Sequence, residues 1–281
     1  MKKFLFLGVL LILALWLARP AGAGQALSLG YNVYLGGLHI LAFDMDIALN
    51  RAEYSISAAG ATKGVVGVFY KWSARFDSNG RLGRAGFRPA RYDAVTKRRG
   101  KVKSRRLLFG GEGKYSVERD PPRKKTRKKK RKNLPPVLPR DTVDPLTAVL
   151  EVTHTLLEDG TCARTIPVFD GKRRYNLVLK YEGPDTVEPS HLSIFKGSAV
   201  RCRFTIERIS GFKKRRGHYS YWEESEESPV AVWVATLADG APPVPVRFEG
   251  ELKLGALMIH LARAEVKSTV ADSRPSPAPV P

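Results

Sequence analysis

The sequence holds little of what usually carries chemistry: of 281 residues, two are cysteine, three methionine and five histidine. His39, His154, His191, His218 and His260 lie far apart, with no H-E-x-x-H or comparable ligand spacing, so a metal centre lacks its signature. No G-x-S-x-G elbow and no phosphate-cradling glycine loop is present, which removes the usual signals of a hydrolase or a nucleotide-binding protein. Cys162 and Cys202 form no C-x-x-C pair and have no neighbouring His pair, so neither redox exchange nor zinc is indicated. No repeat of fixed period stands out. No cofactor is expected. Acids are also scarce: 27 Asp and Glu stand against 48 Lys and Arg, a formal charge of +21 that favours polyanions or anionic membrane surfaces as partners.

Long apolar runs are absent too. The longest, Phe4 to Leu17, holds about 14 residues where a spanning helix needs roughly 20. Lys2 and Lys3 precede it, Arg19 and Pro20 stop it, and Ala21-Gly22-Ala23 supplies small residues. This is the pattern of a cleavable export signal over residues 1–23, with cleavage expected after Ala23. No Cys follows the run, so a lipoprotein route is not indicated. The mature chain is expected outside the cytosol, where an isolated cysteine pair is expected to be joined. A Cys162–Cys202 bridge would close a loop of about 40 residues and remove roughly 4 kcal/mol of unfolded-state entropy.

The remainder, 43% apolar overall, reads as one β-rich domain over 24–271 followed by a Pro-rich, unstructured tail over 272–281. Leu29, Tyr31, Val33 and Leu35 alternate with polar or small residues, Gly36-Gly37 turns the chain, and Phe43, Met45 and Ile47 alternate again. A strand follows at Tyr54 and Ile56, another is expected from Val65 to Trp72, and Ser78-Asn79-Gly80 is expected to turn a hairpin before Leu82 to Tyr92. Lys97, Arg98, Arg99, Lys101, Lys103, Arg105 and Arg106 read as a solvated hairpin. Strands resume from Thr165, with a turn at Asp170-Gly171, and later ones are expected over 198–209, 230–236, 244–254 and 256–266. One helix interrupts them: Asp144 caps it, Pro145 takes the first position, Leu146, Val149, Leu150, Thr153 and Leu157 share a face, and Gly160 ends it. The fold class expected is all-β, mainly antiparallel: a curled sheet, barrel or half-barrel, with one helix packed inside or against it.

Two stretches depart from this pattern. Residues 119–140 contain Arg123, Lys124, Lys125, Arg127, Lys128, Lys129, Lys130, Arg131 and Lys132 between prolines, a run that cannot bury itself and is expected to form a mobile loop. Export argues against a nucleic-acid partner, so the run reads either as a tether to lipopolysaccharide or acidic phospholipid, at about 1 kcal/mol per Lys near such a surface, or as a solvated linker. His218 to Trp222, followed by Glu223, Glu224, Glu226 and Glu227, reads as a glycan-binding stretch or a partner for that run.

Tyr34 to Gly37 with the alternating strand after it, Pro89, Tyr92, Asp144-Pro145-Leu146-Thr147-Ala148, Cys162, Phe169 to Tyr175 and Cys202 give the chain its likeness to a known family. It resembles domain of unknown function 3108, exported proteins of Gram-negative bacteria, from about Leu27 to Val266. The resemblance implies a periplasmic, barrel-like fold with no established enzymatic activity; a more distant likeness is to periplasmic envelope-integrity proteins whose strands spiral around a helix. The basic run and the Pro-rich tail depart from the family pattern. The function expected is non-enzymatic support of the cell envelope, with candidate partners an anionic lipid or lipopolysaccharide surface, an apolar ligand in the barrel and another envelope protein. The alternatives are a periplasmic scaffold that binds another protein through an exposed strand edge and, behind it, an enzyme acting on envelope glycans or lipids. The turn Asp170-Gly171-Lys172-Arg173-Arg174-Tyr175 reads either as a plain hairpin turn or as a rim that offers cations to an anionic headgroup.

Overall fold

The computed structural model describes residues 24–83, 86–121, 140–212, 230–252 and 254–269. The expected signal, the basic run 123–132, the stretch 218–227 and the tail 272–281 lie outside them. Seven strands, β1 (Gly24–Leu35), β2 (Leu38–Leu49), β3 (Glu53–Thr62), β4 (Trp72–Gly83), β5 (Gly86–Arg98), β6 (Lys101–Phe109) and β7 (Tyr115–Asp120), form an antiparallel meander. Six more, β8 (Arg164–Phe169), β9 (Arg174–Val187), β10 (Gly197–Ser210), β11 (Val230–Ala235), β12 (Val244–Leu252) and β13 (Gly255–Thr269), meander back until β13 pairs with β1. The result is a single 13-stranded sheet, ordered β7 to β1 and then β13 to β8. Period-two alternation drives it: in β3, Tyr54, Ile56 and Ala58 are buried while Glu53 and Ser55 are exposed.

The sheet curls until its two edges meet, without closing by hydrogen bonds between strands. Tyr115 of β7 packs edge-on to Phe169 of β8 with ring centres 5.2 Å apart. Arg105 and Arg119 reach across to the backbone carbonyls of Asp170 and Gly171 at 2.8 and 2.5 Å. Val143 adds a short parallel bridge to β8, its N–H donating to Pro167 and its carbonyl accepting from Phe169.

Inside the curl lies helix α2 (Pro145–Asp159), preceded by a short helix α1 (Gly64–Phe69) at one rim. The face expected to be buried is too narrow a description of α2. Leu146 and Leu150 enter the main core with Leu29, Tyr31, Ile56 and Tyr92, while Ala148 and Val152 on another face enter a second core with Ile166, Val168, Cys202 and Val232. Leu157, placed on the apolar face by its spacing, is 60% exposed, because the helix end emerges from the curl.

Two local expectations are overturned. Residues Val65–Trp72 do not form a strand: β3 and β4 pair directly from Ala61 and Ser73 inward, which leaves 63–71 as their connection. Gly64 takes φ +56°, and Thr62 Oγ1 ties the segment by donating to the Tyr70 carbonyl at 2.8 Å and accepting from the Trp72 N–H at 3.2 Å. Asn79-Gly80 is not a hairpin turn but lies within β4 at a bulge against β5. A Cβ at Gly80 would stand 2.2 Å from the Arg88 carbonyl oxygen, so this glycine serves close strand approach rather than reversal.

Candidate functional site

The start of α2 is locked by a buried polar network. Asp144, with no exposed surface, accepts from the N–H groups of Leu146 and Thr147 at 2.9 and 3.1 Å, as an N-cap carboxylate should. Its other oxygen accepts from Ser78 Oγ at 2.8 Å and Thr147 Oγ1 at 2.5 Å, and the Tyr54 hydroxyl lies 2.6 Å from Thr147 Oγ1. Burial pushes the Asp144 carboxyl above the ordinary aspartate range, while the hydrogen bonds from Thr147, Ser78 and the backbone pull the other way. Burial also raises the Tyr54 hydroxyl well above its usual value. Oδ1 thus caps the helix, and Oδ2 ties the cap to β4 through Ser78.

A second buried acid, Glu151, faces the strands one helical turn after Thr147. Oε1 accepts from the Phe87 N–H at 2.7 Å and Oε2 pairs with Arg164 at 3.0 Å, whose guanidinium also donates to Thr155 Oγ1 at 2.8 Å. Gly86, at φ +96°, makes room for it: a Cβ there would stand 2.7 Å from Oε1. Nothing in the apolar spacing of the helix announces this residue, since a lone Glu in a helix is usually solvated.

The disulfide Cys162–Cys202 is formed, with Cα atoms 6.4 Å apart, and joins the segment after α2 to β10 inside the second core. The turn Asp170-Gly171-Lys172-Arg173 is a hairpin turn whose Asp170 side chain accepts from the N–H groups of Lys172 and Arg173 at 2.7 and 2.6 Å. It is held on one side by Arg105 and Arg119. On the other, a Cβ at Gly211 would meet the Lys172 carbonyl oxygen at 2.0 Å. Gly171 is buried and only Arg173 of the six is exposed, so the turn acts as a latch between edges more than as an open display of cations. Tyr175, the last of the six, packs edge-on to Phe212.

A cluster of charge on the sheet surrounds Trp233. Its indole N–H donates to Asp185 at 2.8 Å, and Arg201 and Arg247 lie over the ring at 5.1 and 5.2 Å. That hydrogen bond and the nearby arginines hold the Asp185 carboxyl below its ordinary range. Arg201 also pairs with Glu182 at 3.0 Å, and Arg247 with Glu249, so the cluster satisfies itself.

Where α2 emerges, the curl leaves an open groove of about 520 Å³. Its floor is Leu49, Leu82, Phe87 and Leu150. Leu157, Pro242 and Pro243 form its walls, and Gln25, Asn50, Arg51, His154 and Glu158 form its polar rim. Phe87 is held edge-on to both Tyr54 and His154, at 5.0 and 5.5 Å. Gln25 donates to the Gly240 carbonyl, joining β1 to the loop before β12 at the groove's edge. The residues come from five separate stretches of chain, and no local pattern marks them. Such a volume lies within the roughly 300–1,000 Å³ typical of small-molecule sites. Among the described residues Glu158 is the one carboxylate in the groove lining. Among the described residues no group of three or more His, Cys, Asp or Glu is placed to hold a metal ion.

Residues 30–262 match the family described as Protein of unknown function (DUF3108), and the chain belongs to that family. Among solved structures it is similar to a crystal structure titled as a beta-barrel-like protein of domain of unknown function DUF1849 from Brucella abortus. That likeness has 11% identity and a TM-score of 0.49 and covers 89% of this chain and 100% of the other. No curated protein matches.

Proposed function

We propose that this is an exported, non-catalytic protein of the cell envelope that takes the apolar chain of a lipid-like ligand into the groove at the C-terminal end of α2. The groove carries the reading: buried or half-buried Leu49, Leu82, Phe87 and Leu150 line an open volume whose exposed polar side chains include Asn50, Arg51 and Glu158. The interior of the curl is filled by α2 and two cores, so the ligand's place is this mouth rather than an enclosed lumen. The signal-like N-terminus supports export, and the surplus of 48 cations over 27 acids supports contact with anionic envelope surfaces. Both buried acids of α2 are engaged in structural hydrogen bonds, which favours binding over catalysis.

The test is native mass spectrometry with organic extraction, on chain exported into a Gram-negative periplasm and purified without detergent. A stoichiometric amphiphile is expected, and it should be lost in Leu157→Lys, a change at an exposed groove wall that leaves the cores intact. Chain that is empty whenever it is isolated would overturn the reading.

A further inference from the structure

The rim opposite the groove carries a different kind of surface. Antiparallel pairing places five chain reversals of the described residues at this rim, the β8–β9 turn and four that adjoin one another: Gly36-Gly37 between β1 and β2, the α1 segment between β3 and β4, Arg99-Gly100 between β5 and β6, and the turn between β12 and β13. They touch in series. The Gly36 N–H donates to the Ala256 carbonyl at 2.9 Å, Lys63 N–H to Ile40 at 3.0 Å, and Arg99 N–H to Lys71 at 3.2 Å. Arg98 lies over the Tyr70 ring at 4.9 Å.

On these tips stand the five most exposed large apolar side chains among the described residues: Phe69 at 79%, Val68 at 70%, Val65 at 67%, Leu38 at 63% and Leu254 at 62%. Scattered exposed apolar residues need no explanation, but five on adjoining tips form a protruding patch. Short helix α1 buries none of its residues, so its Val and Phe are not there to fill a core. Around the patch Lys63, Lys71, Arg98, Arg99 and Lys101 are exposed, and residues 33–43, 58–76, 94–103 and 252–257 contain no Asp or Glu.

We infer that this rim docks on the surface of an anionic phospholipid bilayer, with Phe69, Val65, Val68, Leu38 and Leu254 entering the headgroup boundary and the flanking cations meeting lipid phosphates. An apolar wedge flanked by these cations is the complement of such an interface. It is a poor complement to a second copy of a chain carrying +21, whose cations would face one another. The inference rests on the reading that the chain reaches the envelope, but not on the groove. Docked this way, the opposite rim, with the groove mouth, faces away from the bilayer.

The test is vesicle co-sedimentation of the purified exported chain, using phosphatidylethanolamine–phosphatidylglycerol vesicles beside phosphatidylcholine vesicles. The chain should bind the anionic vesicles and not the neutral ones. Val65→Ser/Val68→Ser/Phe69→Ser should lower that binding at least tenfold with the circular dichroism spectrum unchanged. Lys63→Gln/Lys71→Gln/Lys101→Gln should lower it by roughly fivefold per cation at low salt. A chain lacking Arg123 to Lys132 should retain the dependence on Phe69 and its neighbours. Equal binding by the triple serine variant, or binding that vanishes only with the 123–132 deletion, would overturn the inference. Extraction of the groove ligand is measured separately, so either reading can fail while the other stands.

Discussion

Gly80 sits directly opposite Tyr54 on the β3–β4 ladder, and a Cβ at position 80 would stand 2.8 Å from the Tyr54 ring. The missing side chain lets the ring lie flat against the bulge, edge-on to Phe87, with its hydroxyl delivered to Thr147. Gly80→Ala should therefore destabilise the fold by roughly 2–3 kcal/mol through overpacking against backbone that cannot yield. Urea unfolding of the variant checks this; an unchanged midpoint would mean that β4 and β5 separate at little cost.

Asp144 couples the helix start to β4 through Ser78, so its removal costs more than a surface cap. Asp144→Ala should lower stability by about 2–4 kcal/mol, from the lost cap and from the buried N–H and hydroxyl donors left without an acceptor. Asp144→Asn keeps an acceptor oxygen and should recover part of that loss. Thermal unfolding of both variants gives the comparison, and an alanine variant as stable as the parent would remove Asp144 from its structural role.

These two residues also mark what was legible in the sequence. The helix ends were readable because Asp144, Pro145 and Gly160 each act locally, on the backbone beside them. The antiparallel sheet and the bridged cysteines were readable from alternation and from the count of thiols. Asn79-Gly80 misled because its turn signal is local while the bulge it fits lies on the neighbouring strand, where Ala90 is left unpaired between Pro89 and Arg91. Gly64-Val-Val-Gly-Val-Phe misled in the same way: β propensity suggested a strand, but the pairing of Ala61 with Ser73 left these residues no partner. The groove was not readable at all, since Gln25, Leu49, Phe87, Leu157 and Pro243 meet only after the curl forms. Glu151 was hidden because its partners, the Phe87 N–H and Arg164, arrive from other elements.

His260 introduces a pH dependence. It is buried, packs edge-on to Tyr34, and neither ring nitrogen has a hydrogen-bond partner among the described residues. Burial first, then the nearby Arg247 and His191, hold its pKa below the ordinary value, against an opposing pull from Glu249. The unfolded chain thus binds a proton near pH 6.5 that the folded chain refuses. This contribution to stability is fully present above about pH 6.5 and declines as the pH falls through it, by at most about 1.4 kcal/mol per pH unit. His260→Leu should flatten that part of the profile when urea midpoints are followed from about pH 8 to about pH 5. A profile with the same slope in the variant would assign the dependence to other groups.

Arg105 and Arg119 face each other on paired strands, and both donate to the same turn, tying one edge of the sheet to the other. Strand edges left exposed invite pairing with other chains, and β7 and β8 are the two edges this sheet possesses. Arg105→Ala/Arg119→Ala should lower global stability by at most about 3–6 kcal/mol, at about 1.5–3 for each charge-assisted hydrogen bond. Its local effect should be larger: amide exchange in Tyr115–Asp120 and Arg164–Phe169 should speed up well beyond that of β1 and β13, which pair with each other at the middle of the sheet. A tendency to associate at high concentration should follow from the same opening. Unchanged exchange at both edges would show that Tyr115 on Phe169, together with the bridge from Val143 to Val168, is sufficient to hold the curl without the arginines.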